Sequence, residues 1–205
     1  MKALVLSGAA GNDVTLASIA RCLERELEGH AWTVESWFLR SSDIAYCRGC
    51  YDCWKTTPGD CTTDDDGRRV AQALIGSDLL VLLTPVTFGG YSSALKKALD
   101  RLIPDISPWM TAVDGETHHK PRYARYPDLL AIGTLPVPDP DLERTFVTLV
   151  ARNAINFHAA SHAAAVVADG APEAVLELRV TSLLTEMGVA TEQAGSLDAG
   201  RETAE

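Results

Sequence analysis

Apolar residues follow two alternating patterns along the chain, short continuous runs and longer stretches in which they recur at helical intervals. The continuous runs predict β-strands buried in a sheet, with the second strand at its periphery. These strands are expected at 3–6, 31–39, 78–84, 128–135 and 162–168. The first helical stretch runs from the N-cap residue Asp13 to the stop signal Gly29. Further helices are predicted at 64–75, 92–102, 141–157 and 172–187.

The alternation of five strands with five helices predicts an α/β fold. This order implies right-handed crossovers and a mostly parallel sheet covered by helices on both faces. Ligands of such folds bind beyond the carboxyl ends of the strands. The loops of interest are therefore those that follow Leu6, Leu39, Leu83 and Gly133.

The length of 205 residues is that of a single domain. We assign residues 1–190 to this domain and find within it a cysteine loop at 47–61 and an insertion at 104–127. Residues 191–205 are small, polar and acidic, and we expect them to form a flexible tail.

Charge and hydropathy exclude several classes of partner and location. Lys and Arg number 18 against 28 Asp and Glu, which gives a net charge of −10 and argues against a nucleic-acid partner. No apolar run approaches the roughly 20 residues of a membrane span. The first apolar run is too short for a signal peptide, so we expect a cytoplasmic protein.

The cysteines are the most specific feature of the sequence. Cys47, Cys50, Cys53 and Cys61 form the pattern C-x2-C-x2-C-x7-C. Four thiolates in so short a span can ligate one iron–sulfur cluster or one zinc ion, and the compact first three favour a cluster. Free or redox-active thiols are the alternative. The remaining Cys22 falls by its spacing on the charged side of the first helix, and we interpret it as structural.

Two loops at the predicted sheet edge are candidate binding segments. The first-strand loop, residues 7–15, leads into a helix N-terminus, where free N–H groups and the helix dipole favour an anion. It matches neither G-x-G-x-x-G nor the Walker pattern, so a single phosphate is the preferred ligand and a plain turn is the alternative. The third-strand loop, residues 84–93, is longer than a simple connection requires. Its Phe88 and Tyr91 are candidates to stack on a flat ring.

The insertion is basic and aromatic in an acidic protein. Lys120 and Arg122 are candidate partners of cofactor or NADPH phosphates, and His118 or His119 is a candidate proton donor to a reduced acceptor. The preferred interpretation is a surface segment that packs across a dimer interface. The acidic run at 64–66 is interpreted as complementing a helix dipole rather than binding a cation.

Three stretches in the first half of the chain have a specific order and spacing. They are Leu4-Val-Leu-Ser-Gly8, Cys47-Arg-Gly-Cys-Tyr-Asp-Cys-Trp54 with Pro58-Gly-Asp-Cys61 and Asp64-Asp-Asp66, and Thr84-Pro-Val-Thr-Phe-Gly89 running into Ala94-Leu-Lys-Lys-Ala-Leu-Asp-Arg101. On these stretches the chain resembles the flavodoxin-like NAD(P)H-dependent FMN reductases, and within them the iron–sulfur flavoproteins. The second half is similar only in its strand–helix alternation.

This resemblance implies a flavodoxin-like three-layer sandwich whose five-stranded parallel sheet has the order 2-1-3-4-5. It implies FMN as cofactor, NAD(P)H as electron donor and a homodimer or tetramer. In the family, residues matching Ser7, Gly8 and Thr15 meet the FMN phosphate. Those matching Thr84, Pro85, Val86, Thr87, Phe88 and Gly89 line the isoalloxazine. In the iron–sulfur branch, Cys47, Cys50, Cys53 and Cys61 match the ligands of a [4Fe–4S] cluster.

The chain departs from the family pattern at the phosphate loop. Where relatives usually read Ser-Gly-Ser-Pro-Arg, this chain reads Ser7-Gly-Ala-Ala-Gly11, and Asp13 adds a negative charge. Each lost charge-assisted bond costs about 1.5–3 kcal/mol of binding free energy. The glycine-rich loop usual after the fourth strand is also replaced, by Gly133-Thr-Leu-Pro-Val-Pro138.

These observations predict an FMN-dependent oxidoreductase that passes electrons from NAD(P)H to a quinone-like, flavin or other small acceptor. An electron carrier with a [4Fe–4S] cluster on the cysteine loop is the first alternative. A non-catalytic thiol or zinc module on the same fold is the second. The sequence leaves open the physiological acceptor and the choice between NADH and NADPH.

Overall fold

A computed structural model describes residues 1–113 and 115–189, so the predicted tail lies outside the described residues. It confirms the three-layer α/β sandwich. Five parallel strands form the central sheet, β1 (Lys2–Ser7), β2 (Thr33–Phe38), β3 (Leu79–Pro85), β6 (Asp128–Leu135) and β7 (His162–Ala168). Their order is β2-β1-β3-β6-β7, which is the predicted order once the two additional strands of the insertion are counted separately.

The three central strands are buried along nearly their whole length. Alternate side chains of β1 enter two separate cores, Val5 on one face and Leu6 on the other. The first core lies beneath α1 (Val14–Gly29) and α6 (Glu173–Glu186). The second lies beneath α3 (Asp66–Ile75), α4 (Ser93–Leu99) and α5 (Pro140–Asn156). In α/β sheets with both faces covered in this way, ligands bind beyond the carboxyl ends of the strands.

The first helix begins where its sequence signals predict. The Asp13 side chain accepts a hydrogen bond from the Leu16 N–H at 2.9 Å and thereby caps α1. The placement of Cys22 was wrong, since this residue is buried in the core between α1 and the sheet rather than on the charged side. Its sulfur accepts a 3.8 Å hydrogen bond from Arg25 and lies within 4.8 Å of carboxylate oxygens of Glu173 and Glu177 in α6.

The helix predicted at 92–102 divides in two. The α-helical part ends at Leu99, and a 3₁₀ helix continues from Asp100 to Asp105. Pro104 cannot donate a backbone hydrogen bond, which disfavours a longer α-helix here. A four-residue helix that the sequence analysis missed, α2 (Asp52–Lys55), lies inside the cysteine loop.

The insertion folds as an antiparallel hairpin of β4 (Ile106–Val113) and β5 (Glu116–Pro121). An isolated hairpin is marginally stable in water, so its contacts with the rest of the chain matter. Its Glu116 forms an ion pair with Arg152 at 2.6 Å, and His118 Nδ1 lies 2.9 Å from the Asn156 side-chain oxygen. Both partners belong to α5, so the hairpin packs on its own chain.

A buried carboxyl lies at the base of this hairpin. Asp105 is only 3% exposed, and one of its carboxyl oxygens has no hydrogen-bond partner among the described residues. Burial raises the pKa of Asp105 to about 8. The folded protein therefore holds a proton that the unfolded chain releases above about pH 4.

None of the helices in the described part of the chain combines the length and the apolar character needed to cross a bilayer.

Replacing Phe146 by alanine tests the core between α5 and the sheet. The ring is fully buried, and it contacts Tyr91 edge to face with ring centroids 5.8 Å apart. We expect Phe146→Ala to lower the free energy of unfolding by about 3–5 kcal/mol in urea denaturation. The neighbouring Val147 is 38% exposed, and Val147→Ala should change that energy by no more than about 0.5 kcal/mol. Equal losses would contradict the assigned packing.

Replacing Asp105 by asparagine tests the buried proton. Since the folded state binds more protons than the unfolded state between about pH 4 and the raised pKa of about 8, stability should fall as pH rises through this interval. Asparagine resembles the protonated acid and should remove this contribution to the pH dependence. Urea midpoints of the wild type and Asp105→Asn from pH 5 to pH 8.5 check it. Parallel pH profiles would show that Asp105 does not titrate in this way.

Candidate functional site

The first-strand and third-strand loops lie side by side at the carboxyl edge of the sheet because β1 and β3 are neighbours. The Gly8 N–H donates to the Leu83 carbonyl at 2.8 Å, and the Ser92 hydroxyl donates to the Gly8 carbonyl at 3.0 Å. A Cβ on Gly8 would clash with Ser92 Oγ and lie 2.9 Å from Leu95 Cβ. Glycine at this position therefore permits the close contact between the two candidate loops.

The first-strand loop offers backbone rather than side-chain donors. In the described structure, the N–H groups of Ala10, Gly11 and Asn12 have no protein acceptor, and they precede the N-terminus of α1. Ser7 is buried, and its hydroxyl oxygen accepts a 3.4 Å bond from Ala9 N–H. Such a group of N–H donors at a helix N-terminus suits an anionic oxygen.

Thr15 lies at the first turn of α1 and is also buried. Its hydroxyl oxygen accepts a 2.9 Å hydrogen bond from the Gly170 N–H, so the side chain connects the loops that follow β1 and β7. The hydroxyl hydrogen is still available for donation. The structure thus keeps Thr15 beside the first-strand loop but gives it a structural partner.

The third-strand loop begins with a fixed hydroxyl. Thr84 is fully buried, and its oxygen accepts from the Ser92 N–H at 2.8 Å while the hydroxyl donates to the Pro85 carbonyl at 3.0 Å. Val86 follows, and its N–H donates to the Thr134 carbonyl at 2.9 Å. The Thr84 bonds thus hold the loop to itself, and the Val86 bond fastens it to the neighbouring strand β6.

A tight turn projects from this loop. Thr87 and Gly90 exchange two backbone hydrogen bonds of 2.9 Å, and the central residues Phe88 and Gly89 have φ values of 51° and 76°. Positive φ at both central positions is what a type I′ turn requires, and it is unusual for a phenylalanine. Phe88 is also 99% exposed. The chain therefore holds an aromatic ring in solvent at the sheet edge.

The prediction that Tyr91 also stacks on a ligand was wrong. Its ring is buried against Phe146, and its hydroxyl accepts a 3.0 Å hydrogen bond from the Asn153 amide. Burial raises the pKa of Tyr91 to about 12. Tyr91 is therefore a core residue that supports the loop from beneath.

The structure adds Thr134 to this region, a residue that the sequence analysis did not single out. Thr134 pairs with Pro85 in the sheet register, and its hydroxyl oxygen is buried without a partner among the described residues. An unpartnered buried hydroxyl is uncommon in proteins. The sequence placed Thr134 in the loop of interest after Gly133, but only the register of β6 against β3 shows that it lies beside the third-strand loop.

The cysteine loop surrounds a cavity of about 440 Å³. All four of its cysteines line this cavity, together with Arg101 and the aromatic side chains Tyr46, Tyr51, Trp54 and His119. Cys53 is buried, Cys61 is half-buried, and Cys47 and Cys50 are exposed. The loop thus brings together the set of thiols that the sequence predicts.

The thiols influence one another electrostatically. Burial and the neighbouring thiols of Cys61, Cys47 and Cys50 raise the pKa of Cys53 to about 11. Among the described residues, no three of the four sulfur atoms lie within 4.8 Å of one another. A tetrahedral zinc ion would need its sulfur ligands about 3.8 Å apart. The sulfur atoms of the described cysteine loop are therefore not arranged as a preformed tetrahedral zinc site.

The hairpin forms part of the cavity wall. Trp54 donates from its indole N–H to the Ile103 and Ile106 carbonyls at 3.2 and 3.0 Å, and its ring lies 5.0 Å from that of His119. The proposed phosphate role of Arg122 does not match its contacts. Its guanidinium donates to the Pro104 and Ile106 carbonyls at 2.8 and 3.3 Å, so it supports the base of the hairpin.

Relatives of known sequence agree with these observations. An iron–sulfur flavoprotein of Archaeoglobus fulgidus is 28% identical over 104 residues, which cover 51% of this chain and 46% of that protein. The chain therefore matches about half the length of this curated relative.

Two solved structures share the fold. The NAD(P)H:quinone oxidoreductase from Methanothermobacter marburgensis superposes with a TM-score of 0.64 at 12% identity, covering 91% of this chain and 97% of that one. The FMN-dependent NADH-azoreductase from Bacillus anthracis, solved in complex with FMN, gives a TM-score of 0.60 at 14% identity, with coverages of 91% and 97%. At these identities the likeness concerns the fold.

A family model described as NADPH-dependent FMN reductase matches residues 1–124, which include both candidate loops, the cysteine loop and the hairpin. The match extends over more than half of the sequence. The chain thus belongs to the NADPH-dependent FMN reductase family.

Proposed function

We propose that this protein is an FMN-dependent oxidoreductase that carries electrons from NAD(P)H to a quinone-like, flavin or other small acceptor. The observation that supports it is the contact between the two loops at the carboxyl edge of the sheet, made through Gly8 and Ser92. When bound there, FMN would accept hydride from a nicotinamide and pass the electrons to an acceptor. The protein itself supplies binding and orientation.

The first-strand loop is the proposed phosphate site. The N–H groups of Ala10, Gly11 and Asn12 and the N-terminus of α1 offer hydrogen bonds to phosphate oxygens. Asp13 opposes this attraction with its negative charge, although its carboxylate also accepts the Leu16 N–H. The proposed site is bordered by Ser7 at the end of β1, by the following Gly8, and by Thr15 in the first turn of α1.

The third-strand loop is the proposed wall of the isoalloxazine site. Thr84, Pro85 and Val86 are held by the hydrogen bonds to Ser92 and Thr134 described above. Phe88 projects from the turn into solvent, where it can cover a flat ring or meet the donor or acceptor. A pre-formed turn lowers the entropy cost of ordering these residues around a ligand.

The direct test uses the purified full chain. We expect FMN to bind with a one-to-one stoichiometry in a fluorescence titration, and the loaded protein to oxidise NADH or NADPH when a quinone or free flavin is supplied. Riboflavin, which lacks the phosphate, should bind at least tenfold more weakly. A protein that binds no FMN, or that binds it without any nicotinamide oxidation, would overturn the proposal.

Gly89→Ala tests the turn. Its positive φ disfavours a side chain, and a Cβ would lie 2.6 Å from Thr145 Cγ2, so the turn must move. We expect FMN affinity to fall at least tenfold. Gly115→Ala is the matched control, since Gly115 also has a positive φ, of 84°, but its Cβ would enter open space in the hairpin turn. Equal effects of the two variants would show that the loss reflects stability alone.

A second candidate function is that of an electron carrier with a [4Fe–4S] cluster held by Cys47, Cys50, Cys53 and Cys61. The cavity lined by all four cysteines favours it. When bound, such a cluster would accept and release single electrons. Trp54 and the base of the hairpin would shield it from solvent.

Iron content after anaerobic reconstitution tests this candidate. We expect four iron and four sulfide ions per chain in the wild type. Cys53→Ser should lose most of the iron, because it removes the buried ligand. Cys22→Ser also replaces a buried cysteine, but one that packs in the core beneath α1, and it should keep full iron content. Iron-free wild-type protein would remove the cluster from consideration.

A further inference from the structure

A buried ion pair lies at the floor of the cysteine cavity. The Arg101 guanidinium donates two hydrogen bonds to the Asp65 carboxylate, at 2.7 and 2.8 Å, and both side chains are at most 5% exposed. Burial raises the pKa of Asp65, but the hydrogen bonds from Arg101 and from the Ala45 N–H outweigh it and lower the pKa below its usual value. The pair therefore remains ionised.

This pair joins the two ends of the cysteine loop. Arg101 donates to the Ala45 carbonyl at 2.9 Å, two residues before Cys47, and to the Thr63 carbonyl at 3.4 Å, two residues after Cys61. Asp65 accepts the Ala45 N–H at 2.9 Å and also caps α3. One pair of side chains thus holds the loop closed at both ends.

The space around the guanidinium is tightly fitted. A Cβ on Gly67 would lie 3.1 Å from Arg101 Cζ and 3.1 Å from Asp65 Oδ1. Glycine at this position of α3 therefore allows the helix to pack against the ion pair. The arrangement leaves little freedom for the guanidinium to turn away from the loop.

The same guanidinium contacts a sulfur atom. Arg101 Nη2 lies 3.3 Å from Cys61 Sγ, within hydrogen-bonding distance of a sulfur acceptor. A buried cation that donates to a thiolate ligand stabilises the extra negative charge that a cluster acquires on reduction. Hydrogen bonds to cluster sulfurs are among the features that set the reduction potential.

We propose that Arg101, held by Asp65, is a positioning residue that closes the cysteine loop and sets the reduction potential of the cluster through Cys61. The inference rests on the proposed [4Fe–4S] cluster. Among the described residues, Arg68 offers a comparison, because it forms a two-bond pair with Asp60, the residue immediately before Cys61, yet donates no hydrogen bond to a sulfur atom.

The experiment compares two double variants that each remove one arginine–aspartate pair. Asp65→Asn with Arg101→Met leaves no unpaired buried charge, which lowers the risk of unfolding. Asp60→Asn with Arg68→Met is the matched control. Arg101→Lys keeps the buried charge and should give an intermediate result. FMN content and the melting temperature report whether each variant is folded.

A redox titration and a thiol-reactivity assay on these variants test the proposal. In the reconstituted proteins, a dithionite titration with redox dyes should show, at a fixed solution potential, about a tenfold lower ratio of reduced to oxidised cluster for the Asp65/Arg101 variant, which is about 59 mV for one electron. In the iron-free proteins, the buried Cys53 should react with a thiol reagent at least tenfold faster than in the wild type. The Asp60/Arg68 variant should stay within twofold of the wild type in both.

The outcomes separate the two proposals. Wild-type protein without iron would overturn the cluster and this inference together. A wild type that holds the cluster while both double variants shift alike, or neither shifts, would overturn only the role of Arg101. A selective shift in the Asp65/Arg101 variant, reduced in Arg101→Lys, would support it.

Discussion

Burial of β1, β3 and β6 on both faces is the constraint on which the candidate sites depend. Their side chains fill two cores, so these strands can present polar groups to a ligand only in the loops at their carboxyl ends. Because β1 and β3 are adjacent, the loops that follow them meet through Gly8 and Ser92. A side chain on Gly8 would separate them, and the sheet order would then no longer produce a continuous site.

The second organised region is built differently, from irregular backbone. The cysteine loop contains little regular structure, and it is held by side chains from elsewhere in the chain. Arg101 and Asp65 join its ends, while Trp54 fastens its short helix to the start of the hairpin. Buried hydrogen bonds and an ion pair therefore order this loop, whereas backbone hydrogen bonds between strands order the sheet.

Because the protein is acidic, the buried cation Arg101 is informative about where negative charge can be stabilised. With a net charge of −10, an unpaired anion would be repelled from most of the surface. At the first-strand loop, the groups that can attract an anion are backbone N–H groups and the N-terminus of α1 rather than an arginine side chain. In the cysteine cavity the positive charge is the guanidinium of Arg101, which stays protonated in proteins and is paired with Asp65.

The sequence by itself determined the strand and helix order, the N-cap at Asp13, the cysteine loop and the family, because apolar periodicity and short motifs are local properties of the chain. It could not determine the burial and the contacts of Cys22, Tyr91 and Arg122, because these depend on residues that are distant in the sequence. The hairpin in the insertion and the unpartnered hydroxyl of Thr134 were likewise decided by tertiary packing. Tertiary packing also decided the contact between Arg101 and Cys61, which are 40 positions apart in the sequence. Burial and hydrogen-bond partners across such separations arise only when the elements pack together.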